Sequence, residues 1–243
     1  VTKNIIIINV LIFAAYALPI GFSDFMNNHM ALHSLKSPLF EPHQIVTHIF
    51  MHANIGHIFF NMFAVFMFGR VVEQILGSKK MLIFYTVTGL GAAALHLTVN
   101  YFQMQHLESL TSAFYAAPDH NTFSVIIHKY LPGRAADSLK EFIDQWMYNP
   151  DNPEYINQAK SYVNEIAGYT LNAPMVGASG AVFGLLIAFA MMFPDAELML
   201  IFFPVPVKAK YFVPVYALLE LFFGVAGFSW DNIAHFAHLG GAL

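Results

Sequence analysis

Apolar residues run through this chain in long blocks, not in the alternating or three-and-four spacing of a water-soluble fold. Six blocks stand out. The first, NIIIINVLIFAAYALPIGF, is apolar from Ile5 to about Phe22, and the second starts at Asn54, a good helix N-cap, running through IGHIFFNMFAVFMFG to Arg70. The third is MLIFYTVTGLGAAALHLTV, the fourth follows Pro174, and the fifth runs from about Tyr211 to Phe228. The sixth opens after Asp231 and reaches Leu243, which is too short to cross a bilayer and reads as a truncated helix. A span of about 20 apolar residues matches a hydrocarbon core of about 30 Å, so the pattern predicts an all-α membrane protein. HQIVTHIFMH, ahead of the second block, predicts an interfacial helix.

Between the third and fourth blocks the chain turns polar. Residues 101–170 hold Asp, Glu, Asn, Gln and Pro with two helix-like runs, DSLKEFIDQWMY and EYINQAKSYVNEIAG, and read as a soluble, partly helical insertion. The expected organisation is spans one to three with an outward first loop in residues 1–100, the insertion in 101–170 on the outer side, and spans four to six in 171–243. Basic residues set the orientation through short loops. Arg70, Lys79 and Lys80 follow span two and Lys208 and Lys210 follow span four, while the first loop carries Lys36 alone. Loops two and four are therefore expected to be cytoplasmic, with the first loop, the insertion and the turn at Ser229 to Asp231 outside and the original termini inside. The first block lacks a small-residue cleavage site and reads as a retained span, and both ends of the chain are expected to be trimmed.

Composition sharpens this. Of 243 residues 57% are hydrophobic and 11% charged, against about 25% charged in ordinary soluble domains, and the mean hydropathy is +0.56. A net charge of −4 without a basic cluster excludes a nucleic-acid partner. The chain has no cysteine, which removes disulfides, thiolate metal sites and a cysteine nucleophile. Chemistry falls to Ser, His and carboxylates.

A strongly hydrogen-bonding side chain inside a bilayer is a functional hypothesis by default, and several share one depth. At 1.5 Å per helical residue, His57 and Asn61 lie roughly 5 and 10 Å below the outer start of span two, Ser179 roughly 8 Å past Pro174, and His238 roughly 10 Å past Asp231. His57 and Asn61, four apart, share a helix face. Small residues flank the serine and the last histidine: Gly177, Gly180 and Gly184 on span four, Ala237, Gly240 and Gly241 on span six. The spacings from Gly180 to Gly184 and from Ala237 to Gly241 are the pattern by which membrane helices approach closely, as a serine–imidazole hydrogen bond requires. A serine becomes nucleophilic when a base such as neutral imidazole takes its proton. Attack on a carbonyl makes an oxyanion, which the donors of His57 and Asn61 and the Ser179 N–H are suited to stabilise. The constellation describes acyl transfer to serine.

These residues resemble the rhomboid intramembrane serine proteases. HIFFN (His57 to Asn61), GASG (Gly177 to Gly180) and AHLGG (Ala237 to Gly241) match the family's motifs in chain order on spans two, four and six. The resemblance implies a six-transmembrane-helix, rhomboid-like bundle whose Ser–His dyad is Ser179 and His238, with no catalytic acid, metal or cofactor. It implies substrates that are single-span membrane proteins, cleaved in or near the transmembrane segment. Some members have Tyr four residues after the serine, where this chain has Phe183, and Glu41-Pro42-His43 stands where some bacterial members have a Trp-Arg pair.

Taken singly, the marked residues have plainer uses. GASG alone is a packing motif, and it is not the hydrolase elbow, because Ala181 takes the last glycine position. His57 and Asn61 alone serve as interhelical glue. The pairs His48/His52 and His235/His238 suit a di-iron lipid desaturase, but no adjacent His-His occurs and GASG is left idle. A third reading is a catalytically inactive relative that binds membrane proteins. His235 is expected to bond near the outer surface, His48 and His52 to order the interfacial helix, His96 to be interfacial, and Glu220, near the middle of span five, to be structural.

Overall fold

The computed structural model describes residues 1–18, 22–200, 203–226 and 234–243. Parts of three expectations fall on the other residues: the end of the first span, the end of the fifth at Phe228, and the turn at 229–231 from which the sixth opens.

Among the described residues three helical stretches are long and apolar enough to cross a bilayer, namely Ile55–Leu76, Ser78–Ala116 and Ala209–Ala226, and two shorter apolar helices are Thr2–Tyr16 and Ser179–Met192. The second stretch begins where the sequence sets it. Asn54 adopts an extended backbone and its side chain accepts a hydrogen bond from His57 N at 2.8 Å, satisfying a donor that the first helical turn leaves open. Within that stretch Val65–Gly69 is a π-helical turn. Gly77, at φ +78°, breaks the chain sharply before the next helix, a conformation open to glycine alone.

The helix after Gly77 runs unbroken for 39 residues to Ala116, so it continues past the apolar block into the polar region. Beyond it come His120–Tyr130, Gly133–Ser138, Lys140–Tyr148 and Pro153–Asn172. Asp119 and Asn152 cap the first and last of these with side-chain oxygens on backbone N–H groups, and Pro153 suits a first turn that needs no donor. These helices close over Phe114, Phe123, Ile126, Ile127, Trp146 and Val163, all buried.

The core of the membrane bundle is different. Ile5, Ile49, Met62, Val65, Met81 and Leu185 pack into one apolar cluster, but where the Ser179–Met192 and His235–Ala242 helices cross, glycine and alanine do the packing. A Cβ on Gly241 would overlap the Gly180 carbonyl, and one on Gly184 would lie 2.7 Å from the Gly241 oxygen and 2.6 Å from Thr88 Cγ2. Without a hydrophobic drive between helices in lipid, such backbone contact is the main source of attraction.

Two features were not expected. Glu197–Leu200 and Phe203–Lys208 form an antiparallel hairpin pairing Glu197 with Lys208 and Leu198 with Val207, in the loop between spans four and five. The interfacial segment is one helical turn, Gln44–Thr47, followed by a tighter turn, His48–Phe50, instead of a full helix.

Candidate functional site

Ser179 is the first residue of its helix, and it follows a non-helical lead-in that turns at Gly177 and Ala178. Met175 pairs with Leu32 through two backbone hydrogen bonds of 2.8 and 2.9 Å, and Gly177 N donates to His48 O at 3.0 Å. The first loop thus fixes the lead-in to within two residues of the serine. Gln44 orders that loop in turn: its amide donates to Asn28 O and Leu39 O, and its oxygen accepts from His33 N. Heading a helix gives the Ser179 side chain a place beside N–H groups that have no intrahelical acceptor, at the positive end of the helix dipole.

Gly177 differs from the other small residues in what it approaches. It lies ahead of the helix at φ +130°, and a Cβ there would sit 2.7 Å from His57 Nε2 and 3.6 Å from Ser179 Oγ. Both the backbone conformation and the close approach of the imidazole require glycine. The hydroxyl and the His57 ring therefore border the same small space. Asn61, one turn after His57, is buried, and its Nδ2 has no hydrogen-bond partner among the described residues.

His238 reaches this end of the bundle from the last helix. Its ring stacks beside Phe183, with centroids 6.1 Å apart and planes 15° from parallel, one turn along the helix that Ser179 starts. Tyr216 meets the far side of the Phe183 ring edge-on at 5.2 Å. Among the described residues no hydrogen bond joins Ser179 Oγ to His238. Behind the serine a cavity of about 10 Å³, enough for one water, is walled by His48, Gly89, Met175, Gly180 and Ala237.

The other histidines fall into two groups. His48 and His52 lie ahead of the second span and are almost fully buried. Burial pushes each from 6.5 down to about 4, so both are neutral at neutral pH. His48 Nδ1 donates to Gln44 O at 2.9 Å, while the His52 ring meets His57 edge-on at 5.0 Å. His235 is buried instead of facing the surface, and its Nδ1 lies 2.6 Å from Glu220 Oε2. Glu220 Oε2 is also 3.0 Å from His238 Nδ1. Sequence reasoning left Glu220 unpaired with the site. The signal that pointed to it was a carboxylate deep in an apolar span, which demands a partner, and the histidines of the next helix were the nearest candidates. His48/His52 and His235/His238 do not converge as a metal site: among the described residues no group of three or more ligands is arranged for one.

Comparison with known proteins supplies what geometry alone does not. A model of the Rhomboid domain matches residues 39–111 and 155–243 and is silent between them. Among curated proteins, an uncharacterised mitochondrial rhomboid protein of Schizosaccharomyces pombe is 29% identical over 207 residues, 82% of this chain and 47% of its own length. Mitochondrial rhomboid protein 1 of Saccharomyces cerevisiae is 37% identical over 81 residues, 32% of this chain and 22% of its own. The chain thus spans less than half the length of either relative. The two matched stretches contain every residue that meets around Gly177 and Phe183, and together they make up more than half of an apolar, membrane-spanning chain, which belongs to the rhomboid family.

Proposed function

We propose that this protein is an intramembrane serine endopeptidase that cleaves single-span membrane proteins in or near their transmembrane segment. Ser179 Oγ attacks the scissile carbonyl carbon and passes its proton to His238 Nε2. The oxyanion accepts hydrogen bonds from Asn61, His57 and the Ser179 N–H. As the intermediate collapses, the C–N bond breaks, His238 returns the proton to the leaving nitrogen, and the acyl-serine is hydrolysed by a water that His238 activates in the same way. The observation that carries this reading is that His57, Ser179 and His238, distant in sequence, gather at one end of the bundle around Gly177 and Phe183.

The architecture that goes with it is six spans, with the insertion between the third and fourth facing the same side as Ser179 and with the basic loops opposite. Both relatives are named as mitochondrial proteins, which points to a mitochondrial membrane for this one. A substrate that is itself a helix enters sideways from the lipid, past the Ala209–Ala226 helix. Helix-breaking residues near its scissile bond speed cleavage, because an intact helix keeps its carbonyls bonded.

One observation favours a second reading. The missing hydrogen bond between Ser179 and His238 suits a relative that binds membrane proteins without cutting them, although catalytic bonds often tighten only when substrate is bound. Labelling by a fluorophosphonate probe, with cleavage of a single-span reporter, separates the two. The protease reading requires labelling and cleavage that Ser179→Ala abolishes and His238→Ala cuts to near background. Equal cleavage by wild type and Ser179→Ala overturns it.

A further inference from the structure

Glu220 is the buried acid that the chemistry above leaves unused. It lies on the Ala209–Ala226 helix with 4% of its surface exposed, and an unpaired carboxylate at that depth is costly. Its Oε2 sits between two imidazoles on the facing helix, 2.6 Å from His235 Nδ1 and 3.0 Å from His238 Nδ1. The bond to His235 is well aligned and pins the carboxylate. His238 Nδ1 is buried and lies within reach of the same oxygen without a hydrogen bond to it, and it has no hydrogen-bond partner among the described residues.

Three facts bear on what the carboxylate does there. An ionised carboxylate only accepts hydrogen bonds, so a protonated Nδ1 is the His238 tautomer that suits its company, and that tautomer leaves Nε2 as the basic nitrogen. The ring is 12% exposed, so the cation formed when it takes the serine proton needs a nearby counter-charge. Phe183, stacked on the His238 face, has no hydroxyl to offer Nδ1. Among the described residues the titratable groups around His238 are Glu220 and Tyr216 from the Ala209–Ala226 helix, His235 on its own helix, and His57 from the second span. Glu220 is the acid among these.

Building on the reading of Ser179 and His238 as nucleophile and base, we propose that Glu220 is a positioning residue: it holds the Nδ1 edge of His238, turns Nε2 toward Ser179, and stabilises the imidazolium during attack. The site then works as a serine, a histidine and a carboxylate contributed by a third helix. Because that helix also flanks the path proposed for substrate, its distance from the His235–Ala242 helix governs how well the base is held.

The test compares Glu220→Gln, which keeps shape without charge, with Glu220→Asp, using the full-length protein in detergent micelles. Glu220→Gln is expected to slow fluorophosphonate labelling of Ser179 by about 10²-fold and to move the acidic midpoint of its pH–rate profile down by about one unit, as loss of an adjacent negative charge requires. Glu220→Asp is expected to recover part of the rate and most of the midpoint. A purely structural role would lower the rate at every pH and leave the midpoint in place. A second readout does not depend on activity: in ¹⁵N-histidine NMR, the His238 signals, identified by their loss in His238→Ala, should report Nδ1 protonation and a titration midpoint that falls in Glu220→Gln. Labelling within threefold of wild type, or an unmoved midpoint and tautomer, overturns the proposal. If wild type and Ser179→Ala label alike, the nucleophile assignment fails, and the NMR comparison still decides whether Glu220 holds His238.

Discussion

The membrane bundle and the polar helices at 120–172 are built on opposite packing rules. Over the polar helices Phe123, Phe142 and Trp146, joined by Phe114 from the end of the Ser78–Ala116 helix, form a knot of rings with centroids 5.6 to 6.3 Å apart. In the bundle the close backbone approaches are made by glycines, Gly241 against Gly180 and Gly240 against Gly91, with side chains removed from the interface. Water explains the first, since burying a large ring removes much apolar surface from solvent. Lipid explains the second, because a large apolar side chain gains little by leaving one hydrocarbon for another. The same contrast decides where polar groups are tolerated. Glu220, His235 and Asn61 are buried in the bundle beside helices that approach closely, while the buried side chains of the polar helices form an apolar cluster.

The strongest way to break this contrast is to add a side chain where the bundle has none. Gly241→Leu drives a branched chain into the Gly180 carbonyl and is expected to abolish both the folded bundle and probe labelling, seen as loss of a cooperative thermal transition in detergent. Trp146→Ala removes the largest buried ring of the other region, and is expected to cost about 3–5 kcal/mol there while leaving labelling of Ser179 intact. If Trp146→Ala silences the serine as completely as Gly241→Leu, the two regions are not independent.

Acid should attack the bundle side first. The folded-state values of His48 and His52 are depressed to about 4 from 6.5, so the stability they contribute is present above pH 6.5 and is lost as pH falls toward 4. Each costs about 1.4 kcal/mol per pH unit across that window, so melting temperature should drop between pH 6.5 and 4.5, and the drop should shrink in His48→Gln. An equal drop in that variant would assign the effect elsewhere. Smallest of all, Asp119→Ala removes the oxygen that accepts from Asn121 N and Thr122 N, and should cost about 1 kcal/mol, confined to hydrogen exchange in His120–Tyr130.

The sequence made some of this legible for physical reasons. Long apolar blocks foretold the three helical stretches long enough to cross a bilayer, Asn54 marked the start of the second span, and the small-residue spacing marked the meeting of Gly180 with Gly241, because each signal is local or periodic. The hairpin at 197–208 was hidden: ELMLIFFPVPVK is apolar on both faces and broken by prolines, so alternation was absent. The non-helical lead-in before Ser179 was hidden as well, since its bonds go to Leu32 and His48, far away in the chain. The pairing of Glu220 depends on the relative depth of two helices, which neither helix encodes alone.

The tie between the first loop and the serine's lead-in has a bearing on sequence drift. Its donors and acceptors at positions 32, 48, 175 and 177 are all main-chain atoms, so replacing the side chains at 32, 48 and 175 leaves the hydrogen bonds available, and at 32 or 175 proline, which lacks the N–H, severs one of them. Position 177 is the exception, because its backbone conformation and the His57 ring beside it admit glycine alone. The serine is moored by main-chain atoms at three positions whose side chains are spectators and at a fourth where identity is fixed.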